Sequence, residues 1–180
     1  MGVLTDAMRA SSPRSFPRDW DQAARPGMYG WWGDEEARAI LGEAIGAELP
    51  PLLYVGQSGA TKWPSGKRSS ATLASRVDRQ HIRGNARSST FRLTISSLLL
   101  SRFGLVAVTG GKLDKASNER VSEWIADHLR VVIAPYDDRD NLGVVEAEVV
   151  TQLDPPLNLG HCLPSDARDR LTELRRSLSR

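Results

Sequence analysis

Leu52-Leu53-Tyr54-Val55-Gly56-Gln57 is short, apolar and β-favouring, and it closes on a glycine. Pro50 and Pro51 precede it, so it reads as a buried strand with a hard start and a turn at its end. The Tyr54 ring suits a core strand, but its hydroxyl needs a partner or water once buried. Working outward, Gly27-Met28-Tyr29-Gly30-Trp31-Trp32 reads as an earlier strand of the same kind, over 28–32, set off by Pro26 and Gly33. Its adjacent tryptophans point to opposite faces. A third candidate strand runs over 129–134 and stops at Pro135.

Helices fill the intervals. Asp34 is a plausible cap for a helix reaching about 47, with Glu35 and Glu36 in its first turn. The stretch 57–70 reads as a polar loop. Thr72 caps a basic helix whose apolar side is Leu73, Val77 and Ile82, closed by Gly84-Asn85. The run 89–101 reads as a further helix, although its β-branched residues also allow a strand. A short strand at 105–108 and helices over 118–128, 142–153 (capped by Asn141) and 164–180 complete the reading. The domain division is an N-terminal arm over 1–25, a core over 26–162 with an insertion at about 85–117, and a C-terminal helix over 163–180 packed on the same domain. The arm is expected to be loose, with Phe16 or Trp20 tucked against the domain.

The chain has 180 residues, 40 % of them apolar, which suits one domain with a real core. Net charge is only +2, yet between positions 62 and 92 eight lysines and arginines face a single acid, Asp78. Such clustering suits a polyanion. Cys162 is the only cysteine, so an intrachain disulfide and a thiolate metal cluster are excluded. With no signal-like or membrane-length apolar run, the expected location is the cytoplasm.

Gly27-Met28-Tyr29 and Tyr54-Val55-Gly56 resemble the two signature triplets of the GIY-YIG nuclease superfamily. Arg76 sits where that family places an arginine, on the helix after the second triplet. Glu146 falls where its metal-binding glutamate lies, and Asn158 matches its asparagine after a proline-containing turn. The resemblance runs from Pro26 to Asn158, and is nearest to stand-alone bacterial members with Trp-Trp after the first triplet. It implies an α+β fold, a small three-stranded antiparallel sheet flanked by helices, here with a helical insertion. It also implies hydrolysis of phosphodiester bonds with Mg²⁺ or Mn²⁺, usually in DNA, with RNA as the alternative substrate.

Local chemistry runs the same way. Glu146 offers a carboxylate for the cation, and Arg76 offers a rigid charged fork for the phosphate. Tyr29 is the candidate for orienting or deprotonating water, provided that Arg76 and the metal lower its pKa. Tyr54 would bind the phosphate or share that role, and Gly56 would make room for Gln57 and the substrate strand. Asn158 would fix the loop geometry. His81 is placed to contact phosphate or carry a proton; His161 is placed to approach the metal, and His128 is read as structural. Glu148 is the rival of Glu146 for the ligand role. Gln57, Lys62, Lys67, Arg68, Arg79, Arg83, Arg87 and Arg92 are candidates for nucleic-acid contact, with Trp63 stacking on a base.

Taken singly, each residue has a plainer explanation: core tyrosines, a solvated arginine, a turn asparagine. The functional reading rests on their convergence round one solvent-open hollow. The competing readings are a catalytically silent nucleic-acid-binding module and a protein-interaction domain that uses Trp31, Trp32 and Trp63. A homodimer or a separate targeting partner would serve double-strand cleavage.

Overall fold

A computed structural model describes residues 2–10, 13–16 and 21–179. In chain order it contains α1 (Gly2–Ala10), β1 (Gly27–Gly33), α2 (Glu35–Ile45) and β2 (Leu52–Ser58). A short hairpin, β3 (Thr61–Lys62) and β4 (Lys67–Arg68), leads to a π-helix (Ser75–Ile82). Then come α3 (Thr90–Leu99), a second hairpin of β5 (Ala107–Val108) and β6 (Lys112–Leu113), α4 (Lys115–His128), β7 (Leu129–Pro135), α5 (Leu142–Leu153) and α6 (Asp166–Ser179).

The three long strands form an antiparallel sheet in the order β2-β1-β7. Tyr29 stands opposite Gly56 and Trp31 opposite Tyr54, but Trp32 pairs with Leu52. Leu53 is therefore the extra residue of a bulge, and it packs into the same cluster that Tyr54 borders. Period-two alternation splits the strands between two cores. Tyr29, Trp31 and Val131 enter the larger core, with apolar residues of α2, the π-helix, α3, α4 and α6. Met28, Val55, Val132 and Ala134 enter the smaller one, with α1 and α5. The paired tryptophans part as expected: Trp31 stacks on Phe91 with ring centroids 4.8 Å apart, and Trp32 lies half-buried on the other face.

Local chemistry sets most helix ends. The Asp34 carboxylate accepts from the Ala37 N–H at 2.7 Å, and Gly46 closes α2 at φ 70°. Ser89 Oγ accepts from the Arg92 N–H at 3.0 Å and makes the 89–101 stretch a helix rather than a strand. The helix read over 118–128 starts three residues earlier, because Asp114 accepts from the Ser117 N–H at 2.8 Å. Asn141 gives α5 no side-chain cap; its amide instead donates to Asp138 at 2.6 Å. The strand read at 105–108 shrinks to Ala107–Val108, and the loop over 57–70 contains the β3–β4 hairpin.

The N-terminal arm departs most from the expected loose segment. Its first ten residues contain α1, whose Leu4, Thr5 and Met8 are buried against the sheet. Gly30 makes this docking feasible: a Cβ there would lie 3.0 Å from the Met8 sulfur and 3.2 Å from Leu52. Phe16 packs against the larger core, and Trp20 lies outside the described residues.

Candidate active site

The free edge of β2 organises the site. An edge strand leaves alternate backbone groups unpaired, and these need partners. The Leu157 N–H donates to the Leu53 carbonyl at 3.0 Å. Two residues on, the Asn158 amide donates to the Val55 carbonyl at 2.8 Å and accepts the Val55 N–H at 2.9 Å. Two residues further, the Gln57 N–H donates to the Glu146 carboxylate. The edge thus sets Asn158 and Glu146 in line, one from the turn after α5 and one from α5 itself.

Asn158 spends both ends of its amide on Val55, so it positions rather than reacts. Asn158→Asp keeps the acceptor and removes the donor. It is expected to cost about 1–3 kcal/mol, measured by urea denaturation, because the Val55 carbonyl is left buried opposite a carboxylate.

Tyr29 faces Gly56 across the ladder. A Cβ at Gly56 would lie 2.6 Å from the Tyr29 hydroxyl oxygen and 2.8 Å from its ring. The room at Gly56 is therefore used by the Tyr29 ring, not by Gln57 as expected from sequence. Gln57 instead turns its side-chain oxygen to the Ala60 N–H at 3.2 Å. The Tyr29 hydroxyl is hydrogen-bonded to His81 Nε2 at 2.8 Å, and His81 Nδ1 to Ser89 Oγ at 2.6 Å. His81 is 2 % exposed, so direct contact with a phosphate, one of its two expected roles, is closed to it. It is five residues beyond Arg76, inside the π-helix.

The electrostatics of these groups are unequal. Burial pushes the Tyr29 phenol well up; Tyr54 and Glu146 raise it further, and Arg76 offsets only part. That opposes the lowered pKa expected for this tyrosine. Burial and then Glu146 push Tyr54 up to about 12, against the pull of Arg175 and Arg76. His81 is held well below its ordinary range by burial, then by Arg76 and Arg92. Burial raises the Glu146 carboxyl to about 7, although the Gln57 N–H and Arg76 both favour its charge. Arg76 donates to Gln80 at 2.6 Å; its buried Nε has no hydrogen-bond partner among the described residues.

Tyr54, Glu146, Asn158 and His161 line a cavity of about 410 Å³, with Thr90 and Arg175. Tyr29 and Arg76 are not among its walls. Tyr29 lies beside it, its ring centroid 6.5 Å from that of Tyr54, and is 2 % exposed. Glu148 is exposed and outside the cavity, so Glu146 is the carboxylate presented there. His128 pairs with the capping Asp34 at 3.1 Å, the structural role expected of it.

Sequence reading missed Arg175. Leu171, Leu174 and Leu178 mark the inner stripe of α6, and Arg175 falls at the i+4 position of that stripe, where an apolar residue would complete it. An arginine in an apolar position was the available signal. Ser89, which holds His81, carried no signal beyond its capping role.

The basic residues divide. Lys62, Trp63, Lys67 and Arg68 are exposed on the β3–β4 hairpin, Trp63 at 66 %. Arg79, Arg83 and Arg87 are exposed in and after the π-helix, with Arg83 paired to Asp78. Arg92 is a correction: it is fully buried and cannot track a nucleic-acid backbone. Its guanidinium donates to the carbonyls of His81 and Ile82 at the end of the π-helix, and to Asn118 and Ser122 of α4. A cation there satisfies carbonyls that the helix leaves unpaired. Arg92→Ala is expected to cost about 3–5 kcal/mol by urea denaturation, in the range of a broken buried charge network. The salt dependence of nucleic-acid binding is expected to stay unchanged.

Two tyrosines thus share one face of the sheet, the arginine-bearing π-helix packs in the same core, and a carboxylate stands at the sheet edge. The chain matches the GIY-YIG catalytic domain family over residues 27–177, more than half its length, and belongs to that family. Membership makes it a nuclease of the GIY-YIG type and implies nucleic-acid binding. No curated protein and no solved structure matches it. Among the described residues, no group of three or more His, Cys, Asp or Glu side chains could hold a metal ion, and no helix is long and apolar enough to cross a membrane.

Proposed function

We propose that the protein is a metal-dependent endonuclease hydrolysing phosphodiester bonds in DNA. The observation that carries this reading is the Tyr29–His81 hydrogen bond at 2.8 Å, set within electrostatic reach of Arg76, Tyr54 and Glu146.

The donor set fits Mg²⁺ or Mn²⁺ held sparingly. Such ions keep several waters and take one or two carboxylates plus substrate oxygens. Glu146 supplies the carboxylate, while the Asn158 amide is fully engaged with Val55 and supplies nothing. A bound cation relieves charge on the phosphoryl oxygens and the leaving oxygen.

The chain's own residues do the rest. Arg76, with its unpartnered Nε, takes the phosphate. The Tyr54 hydroxyl, at the cavity wall, donates to a phosphoryl oxygen. Tyr29 is 2 % exposed and outside the cavity, so it acts as a relay only once substrate binding admits water to its hydroxyl: its oxygen then accepts a proton from water while its own proton passes to His81 Nε2. A buried phenol is a poor phenolate, so this exchange avoids forming one. His81 becomes an imidazolium next to Arg76 and Arg92, and the negative charge of the arriving phosphate offsets that repulsion. Lys62, Lys67, Arg68, Arg79, Arg83 and Arg87 supply backbone affinity, and the Trp63 ring stacks on a base.

The test is cleavage of plasmid, linear, branched and single-stranded DNA with Mg²⁺ or Mn²⁺. Cleavage is expected to stop with a chelator or Glu146→Ala, while binding persists. Binding without cleavage of any DNA or RNA by the wild type identifies a silent binding module. Failure to bind at low salt identifies a protein-interaction domain.

A further inference from the structure

Arg175 differs both from the arginines that are paired and from Arg79, Arg87 and Arg176, which have no carboxylate partner among the described residues but are exposed to solvent. Arg25, Arg68, Arg83, Arg102, Arg168 and Arg170 each face a carboxylate. Arg175 is half-buried, lines the cavity beside Tyr54 and Glu146, and has no ion pair or guanidinium hydrogen bond among the described residues. Taking a cation out of water without a partner is costly, and it persists where an anion arrives to complete it. Leu171 and Leu178 bury α6 on both sides of it, which sets Arg175 at the cavity wall.

The layout gives the anion a position. Arg76 acts on both tyrosines, whereas Arg175 acts on Tyr54. Both guanidiniums thus reach Tyr54 electrostatically, and neither has a carboxylate partner among the described residues. Arg175 lines the cavity with Thr90 and His161, and Arg76 lies outside it. A polynucleotide strand offers regularly spaced phosphates, and a cleft with two separated cationic forks matches two of them.

We propose that Arg175 binds the phosphate flanking the scissile one, a contact that an isolated phosphodiester lacks. This rests on the endonuclease reading and deepens it. The contact places α6 in the substrate cleft, with Arg175 as a binding residue.

The experiment compares wild type, Arg175→Gln and Arg175→Lys, each first checked for an unchanged thermal melt. Binding of a short labelled duplex without divalent cations is followed by fluorescence anisotropy across a salt series. The slope of log affinity against log salt is expected to fall by about one for Arg175→Gln and to be restored by Arg175→Lys. With Mn²⁺, kcat/KM on duplex is expected to fall about 10- to 100-fold for Arg175→Gln, chiefly through KM. The loss on bis(p-nitrophenyl) phosphate, which has no flanking phosphate, is expected to be at least about tenfold smaller. An unchanged salt slope, or equal losses on the two substrates, overturns the proposal. If the wild type cleaves neither substrate, the endonuclease reading falls, and the salt slope alone decides Arg175.

Discussion

Tyr29→Phe is expected to lower kcat on DNA by about 10²–10⁴-fold, the range lost when a positioned proton-transfer group is removed. The ring would remain packed over Gly56, so KM should change little. Loss of the hydroxyl leaves His81 Nε2 buried without its partner, a stability cost of about 1–3 kcal/mol measurable by urea denaturation. Gly56→Ala should reproduce the catalytic loss without touching the hydroxyl group. The new methyl occupies the space of the Tyr29 oxygen and pushes it off His81. If Tyr29 is only a core residue, Tyr29→Phe will destabilise the fold and leave kcat within about threefold of wild type, an effect well below the expected proton-transfer loss. The pair of variants therefore separates packing from chemistry.

Glu146→Gln is the second large effect, and it runs in opposite directions for activity and stability. Cleavage should fall to background, because the only cavity carboxylate among the described residues becomes a neutral amide. Stability should rise at alkaline pH. The Glu146 carboxyl is raised by burial from 4.5 to about 7 in the folded protein, so between these values the folded chain holds a proton that the unfolded chain has lost. Folding stability must then fall as pH climbs through that window and level off above it. Below it, wild type and variant are both neutral at this position and should match. Above it, the variant avoids ionising a carboxyl in a desolvated site and should be more stable by about 1–3 kcal/mol. Thermal melts at about pH 4 and about pH 8 without divalent cations check the sign. Adding Mg²⁺ or Mn²⁺ at pH 8 should raise the melting temperature of the wild type and not of the variant. An identical pH dependence of the two proteins would show that Glu146 is well solvated and that its carboxylate is not held in reserve for a cation.

These predictions mark the line between what was legible in the chain and what was not. Tyr54 and Tyr29 were legible because a strand alternates strictly, so prolines and glycines at the ends of two apolar runs place both tyrosines on strands. The opposed tryptophans of β1, the Asp34 cap and the order of strands and helices follow from neighbours a few residues away. Such neighbours act through fixed backbone geometry. Glu146 and Asn158 were recognisable by their spacing, but the reason for that spacing was not. It lies in the unpaired groups of Leu53, Val55 and Gln57, which exist only because β2 falls at the edge of the sheet.

Two arginines show the limit most plainly. Arg92 and Arg175 look alike in the sequence, basic residues in otherwise ordinary helices. Folding gives Arg92 the loose carbonyls of a helix end from another part of the chain and removes it from solvent. It gives Arg175 no partner and a cavity to face. The last turn of α1 is the same kind of case, since Met8 packs against the bare backbone of Gly30. Local sequence specifies which residues share a strand or a helix face, since that depends on backbone periodicity alone. Which distant groups meet a buried charge, or leave it waiting, depends on how the elements pack, and that is settled by the whole chain at once.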